Sequence, residues 1–252
     1  MSDQSSPKED YIAALGEGFG KAFHEVWKEW MGAWIRHEEL KEVFGSQEGI
    51  DYLNSVAPQF FADVQQLFWN DLMLYVSRLT DRSKAALRLR SLEDFLKDDP
   101  DLRKQVGMHR KAAAKAAIPA RDWRNRRIAH IDRRLAIGDP SAKPLPPVQM
   151  ETCKAVLDHV HRALEAIQYS RMDSGIANLV IYDPRGGGLV AYLKGLVDSV
   201  RFIAEIINPG DPYSLDLEKG REFLRKLGRS DPSDANRVFE LMSMAHWTWP
   251  HR

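Results

Sequence analysis

Residues Arg121 to Asp132 read RDWRNRRIAHID, with four arginines, one asparagine and one histidine in twelve positions. Arg124, Asn125 and His130 combine an obligate cation, an amide and an imidazole that titrates near neutral pH. Those three types suffice to cleave RNA without a metal. An imidazole can take the proton from a ribose 2′-OH or protonate the leaving oxygen. A guanidinium can neutralise charge growing on the phosphoryl group. Arg121, Arg126, Arg127, Arg133 and Arg134 surround this trio and are the candidate RNA-phosphate contacts. The same residues would also make a solvated arginine-rich helix face, and residue types alone leave both readings open.

The charge is local. The chain has 36 basic and 36 acidic residues, for a formal net charge of zero. Between Arg103 and Arg134 there are eleven Lys and Arg against Asp122 and Asp132, a net of +9. Such a segment can attract polyanions from within a neutral protein. With 252 residues the chain can bury a sizeable core without staples. Cys153 is its only cysteine, which excludes an internal disulfide and fits a reducing cytoplasm. The polar start MSDQSSPKED has no apolar h-region, and no run approaches the ~18 apolar residues of a membrane span. A cytoplasmic protein with no membrane partner is the expectation.

The elements that must carry the basic segment read as helices. Residues 1–8 are expected to be a disordered tail. Apolar positions at helical spacing predict one long helix from Asp10 to Phe44. A second helix is expected over Gln47–Val56, and a third opens at Pro58 and runs to RLTD, where Thr80, Asp81 and Ser83 supply stop-and-cap chemistry. Ser91 is expected to cap a short helix through Leu96. The basic segment is helical, with a break at Pro119 and an end at Gly138. Helices over Val148–Tyr169 and from Leu189 to Ile207 follow, with DPRGGG between them as a loop. Ser174–Asp183 is ambiguous. The last residues, ending in HWTWPHR, read as a short helical C-terminal extension. The class is all-α, with a tail over 1–8, a helical domain over 9–207 and the extension over 208–252.

Other candidate groups have plainer explanations. Gly186, Gly187 and Gly188 lack the Lys-Ser/Thr of a phosphate-binding loop. His159 and His161 lie two apart, on different helix faces, and make a poor metal pair. Trp27, Trp30 and Trp34 recur at core spacing, although such rings can stack bases. Cys153 fits a small buried residue. No metal and no cofactor is expected.

Arg124-Asn125, four residues and then His130 resemble the signature of HEPN domains: Arg, a polar residue, a short spacer, His. The surroundings are more specific. LKEVFG before LN, then APQFF, LFW and SRLTD, resemble the HEPN-like abortive-infection phage-resistance proteins of the U subtype. RDWRNRRIAHID stands where that family has its Arg-Asn…Ala-His stretch. The resemblance covers about Tyr11 to Ile207. It implies an all-α HEPN-like bundle and a metal-independent endoribonuclease of antiviral defence, with Arg124, Asn125 and His130 as catalytic residues. It also implies RNA as partner, a homodimer that joins two motifs, and an unidentified defence-system protein as a further partner. The alternative is a HEPN scaffold that binds RNA, a nucleotide or a protein without cutting. On a regular helix, six residues leave Arg124 and His130 about 120° apart around the axis. Local distortion or a partner chain is therefore needed to aim both at one phosphate. Arg126 and Arg127, at i−4 and i−3, face His130 better.

Overall fold

The computed structural model describes residues 6–83, 86–172, 185–208, 211–215 and 222. The first helix, α1 (Pro7–Leu15), is set by its cap. Ser6 Oγ accepts from the Glu9 N–H while Glu9 returns a carboxylate oxygen to the Ser6 N–H at 2.8 Å. The expected tail over 1–8 is therefore helical from Pro7 onward.

The single long helix expected to Phe44 is two. Gly16, at φ 83°, turns the chain back, and α2 (Glu17–Phe44) begins. A Cβ at Gly20 would lie 2.5 Å from the Tyr11 carbonyl oxygen, so the bare glycine is what lets α1 lie on α2. The Tyr11 ring then packs 4.9 Å from Phe23. Two of the glycines that weaken this segment's helix propensity thus have structural work to do.

The α3 helix (Gln47–Val56) is capped by Ser46, whose Oγ accepts from the Gly49 N–H at 3.0 Å. Pro58 opens α4 (Pro58–Leu79), and both spans agree with the sequence reading. Then come α5 (Leu89–Leu92) and a 3₁₀ turn (Glu93–Phe95). Ser91, expected to cap this short helix, lies inside it. Asp99 caps α6 (Pro100–Ala116), accepting the Leu102 N–H at 3.0 Å. Pro119 sits in the first turn of α7 (Ile118–Trp123), after a break at Ala117. A π turn (Arg124–Ile128), a short α8 (Arg133–Ala136), α9 (Met150–Arg171) and α10 (Arg185–Ile206) complete the helices.

Two compact units divide the chain, Met1–Leu189 and Val190–Arg252. In the first, α2 packs on α4 and α9, α6 packs on α9, and α7 lies against the end of α4. The core joins Phe23, Val26 and Trp30 of α2 to Leu72 and Val76 of α4, Val106 of α6 and Leu157 of α9. Trp30 Nε1 donates to the Leu157 carbonyl at 3.0 Å, a buried bond between residues far apart in sequence. Such a bond stabilises by about 1 kcal/mol net. The tryptophan stripe is thus core: Trp30 is buried and stacks on His161, while Trp27 and Trp34 pack on the same cluster.

Gly186 to Gly188 are helical rather than a loop. Glu42 Oε2 accepts the Gly187 N–H at 3.1 Å, in the first turn of α10. A Cβ at Gly186 would approach Val43 Cγ2 to 2.8 Å. The second unit holds the rest of α10 and a short antiparallel ladder of β1 (Ile207–Asn208) with β2 (Asp211–Leu215). The all-α reading stands for the fold, and 211–215 correct the expectation of a purely helical extension. Pro212 is tolerated in β2 because each strand of a two-stranded ladder is an edge. Ser174–Asp183 and HWTWPHR lie outside the described residues. No described helix is long and apolar enough to cross a membrane.

Two glycine substitutions separate contact from conformation. Gly20→Ala drives a methyl into backbone and is expected to cost at least about 2 kcal/mol, unseating α1. Gly16→Ala meets nothing within 4 Å and is expected to cost only about 1–2 kcal/mol, through its positive φ. Urea denaturation of the two variants checks the order. Equal costs would contradict the close approach.

Candidate active site

The candidate site is built where the helix carrying it loses its regular winding. After Trp123 the Ala129 N–H donates to the Arg124 carbonyl at 2.8 Å, five residues back, and the Asp132 N–H donates to the Arg126 carbonyl at 3.0 Å. Such wide turns are rare and often mark functional sites. The chain then bends at Ala129 and His130 before α8. The 120° separation of a regular helix therefore does not apply here. Of the two routes that could relieve it, local distortion is present.

Arg126 holds the wide turn. Its Nε donates to Asp132 Oδ2 at 3.0 Å, its Nη1 to Asp122 Oδ2 at 3.3 Å and its Nη2 to the Lys143 carbonyl at 2.5 Å. The fork ties the residue four before it to the residue six after it and to the following loop. Asp132 in turn accepts the Arg134 and Leu135 N–H groups and caps α8. The Arg126 guanidinium holds the Asp132 carboxyl below its ordinary range, with the α8 amides adding to this. Trp123 Nε1 donates to the Pro146 carbonyl at 2.7 Å and pins the other side of the same loop.

Arg124 is held by two acceptors. Its Nη1 donates to Asp81 Oδ2 at 2.8 Å, and its Nε donates to Asn125 Oδ1 at 2.9 Å. A guanidinium has five donors, so Nη2 and one Nη1 hydrogen have no acceptor among the described residues. Asp81, two residues past the end of α4, was legible in the sequence only as stop-and-cap chemistry, and it holds the local turn rather than a helix end. Its Oδ1 accepts the Ser83 N–H at 2.6 Å, leaving Oδ2 for Arg124. The Ser83 amide and then Arg124 hold the Asp81 carboxyl below its ordinary range.

The remaining candidates separate into engaged and free groups. Arg121 is engaged: Nη1 donates to Thr80 Oγ1 at 3.1 Å and Nη2 to the Ala114 carbonyl at 2.6 Å, joining α4 to α6. Burial, with Arg82 and Arg124 nearby, pushes its pKa below the ordinary arginine value. Arg127, His130, Arg133 and Arg134 are exposed, and their side chains have no partner among the described residues. Arg126 and Arg127, paired in expectation, thus differ: one is a clamp and the other is free.

The groups set aside in the sequence are occupied structurally. Cys153 is buried, and burial pushes its thiol up to about 12, which leaves almost no thiolate at neutral pH. His159 meets His109 across α9 and α6, Nδ1 to Nδ1 at 3.4 Å. Among the described residues no three His, Cys, Asp or Glu are grouped to hold a metal.

The Asp81–Arg124 pair has a pH signature. A carboxyl whose folded pKa is depressed contributes stability above its unfolded value, about 4, and loses it as pH falls through the folded one. Asp81→Asn is expected to cost about 1–2 kcal/mol at pH 7, because a partly covered guanidinium loses its charged acceptor. The gap to wild type should narrow as pH falls below about 4. Urea melts at pH 7 and pH 3 measure both, and a gap that is flat or widens on acidification would contradict the pairing.

No curated protein and no solved structure matches the chain. The model of the AbiU2 family of HEPN proteins matches residues 10–170, from within α1 to the end of α9. That span is well over half of the chain and includes Asp81, the π turn and His130. By this match the chain belongs to the AbiU2 family of HEPN proteins, which relates it to abortive infection.

Proposed function

We propose that the protein is a metal-independent endoribonuclease of abortive-infection defence, with Arg124 and His130 at the scissile phosphate. One observation carries this reading. Arg124 is oriented by Asp81 and Asn125 with a free donor edge, on a distorted turn six residues before an exposed, unpartnered imidazole. A fixed donor aimed where charge develops needs no reorganisation during reaction.

The steps follow from the groups present. A base takes the ribose 2′-OH proton, the 2′-oxygen forms a bond to phosphorus, and the bond from phosphorus to the 5′-oxygen breaks. An acid protonates that oxygen. The products are a 2′,3′-cyclic phosphate and a 5′-OH. The free edge of Arg124 donates to the phosphoryl oxygens as their charge grows. Asn125 is a positioning residue, since its carbonyl oxygen holds the guanidinium. Arg127, Arg133 and Arg134 are free to contact other phosphates, whereas Arg126 holds the turn. One imidazole cannot act as base and acid at the same instant, so a second copy related by a two-fold axis supplies the other. Light scattering should give a dimer at micromolar concentration, and a monomer at every concentration would remove the two-copy site.

The activity test uses fluorogenic RNA in EDTA. Wild type should cut, and His130→Ala should lose roughly 10²-fold or more in rate with little change in affinity. Arg124→Ala should weaken both. Arg124→Lys should rescue only in part, because an ammonium cannot serve Asp81, Asn125 and a phosphate with the geometry of a planar fork. A 2′-deoxyribose at the scissile position should block cleavage. Circular dichroism confirms that each variant is folded. Cleavage only with added metal, or full activity in His130→Ala, would overturn the mechanism. Binding without cleavage across varied RNAs would replace it with a non-catalytic RNA-binding module.

A further inference from the structure

Asp81, the partner of Arg124, lines a cleft of about 390 Å³ that none of the sequence candidates except the general basic run pointed to. Its walls come from the end of α4 and the residues after it, from α5 and from one face of α6. The cations on it are Arg82, Arg90, Lys111 and Lys115, all exposed and all without an acceptor among the described residues. Lys111 and Lys115, at i and i+4, share one face of α6. Arg110 also lines the cleft but is paired with Glu93. The apolar part of the wall is Leu79, Ala114 and Ile118.

Acid is scarce there. Asp81 is the one carboxylate on the wall, and Arg124 already holds it. A second observation points the same way. Arg88, beside α5, is 5% exposed, its Nε has no acceptor, and its Nη1 finds only the Ala86 carbonyl at 2.8 Å. Arg88 has no ion pair among the described residues, although its charge reaches Asp81. A buried cation without a counter-ion is costly, and four free cations on a neighbouring wall add to its field. The electrostatics of this end of the bundle lack an anion.

We propose that this cleft holds backbone phosphates of a single-stranded RNA beside the scissile one, with a base or ribose against Leu79 and Ile118. The proposal rests on the ribonuclease reading for the identity of the strand. The cleft lies on the Asp81 side of Arg124, so a strand whose scissile phosphate meets the free edge of Arg124 continues past Asp81 into it. Its cations touch no reacting atom. They set affinity and the length of strand required, and they leave the chemical step alone.

The test is binding of a fluorescent twelve-nucleotide RNA carrying 2′-deoxyribose, so that no cleavage is needed. Lys111→Ala/Lys115→Ala and Arg82→Ala/Arg90→Ala are the variants, since these exposed side chains hold nothing in the fold. Each pair should weaken binding at least tenfold and flatten the slope of log affinity against log salt by about 1–1.5. With cleavable RNA, KM should rise while kcat stays. A trinucleotide, too short to reach the cleft, should bind wild type and variants alike. Adenosine diphosphate is the free-phosphate arm, and it should compete only weakly. Unchanged affinity and slope in both variants would overturn the cleft even where wild type cuts RNA. Tight adenosine diphosphate binding that both variants abolish, with RNA affinity unaffected, would make the cleft a nucleotide site and overturn the strand assignment. If the protein binds this RNA through the cleft but cuts nothing, the ribonuclease reading fails and the cleft stands.

Discussion

A single carboxylate organises the cationic end of this bundle. Asp81 follows α4, receives the Ser83 amide on one oxygen and Arg124 on the other, and feels the buried charge of Arg88. Without it, Arg88, Arg121 and Arg124 would lose the carboxylate whose charge all three feel, at a cost in stability or in shifted ionisation. Burial first, and then Arg82 and Arg124, push the pKa of Arg121 below the ordinary arginine value, while Asp81 opposes them. The elements around the site therefore depend on one ion pair between residues 43 apart in sequence.

A second fork does for shape what Asp81 does for charge. Arg126 reaches back to Asp122, forward to Asp132 and across to the Lys143 carbonyl. A helix forced to satisfy all three cannot keep its regular winding, and the turn opens to five-residue bonds. Two neighbouring arginines thus have opposite duties. Arg126 spends its donors on the fold, and Arg124 leaves some without an acceptor among the described residues. A neutral chain carries a local cation surface because its basic residues gather between Arg103 and Arg134, where only Asp122 and Asp132 are acidic.

Much of the frame was legible because its causes are local. Pro58 at the start of α4, the span of α3, and the apolar spacing of α4 and α9 depend on residues within a few positions. The misreadings share the opposite character. Gly16 breaks a periodic helix because α1 must lie on Gly20, and Gly186–Gly188 become helical because Glu42, far upstream, accepts an amide there. The π turn follows from contacts to Asp132 and Lys143. Arg124, Asn125 and His130 could be picked out by type and spacing, but Asp81 could not be assigned to them, since its own neighbourhood already explained it as a cap. The free cations of the cleft were visible as composition, and their convergence required the fold.

The central claim is that Arg124 and His130, set by Asp81 and the π turn, meet the same phosphate. Side-chain nitrogen NMR of the full chain, titrated with an RNA made uncleavable by 2′-deoxyribose, reads this directly. The account expects the Arg124 guanidinium and His130 imidazole resonances to shift together, saturating at the affinity seen by fluorescence, with Arg126 unmoved. RNA that saturates the protein while leaving Arg124 and His130 unshifted would contradict it.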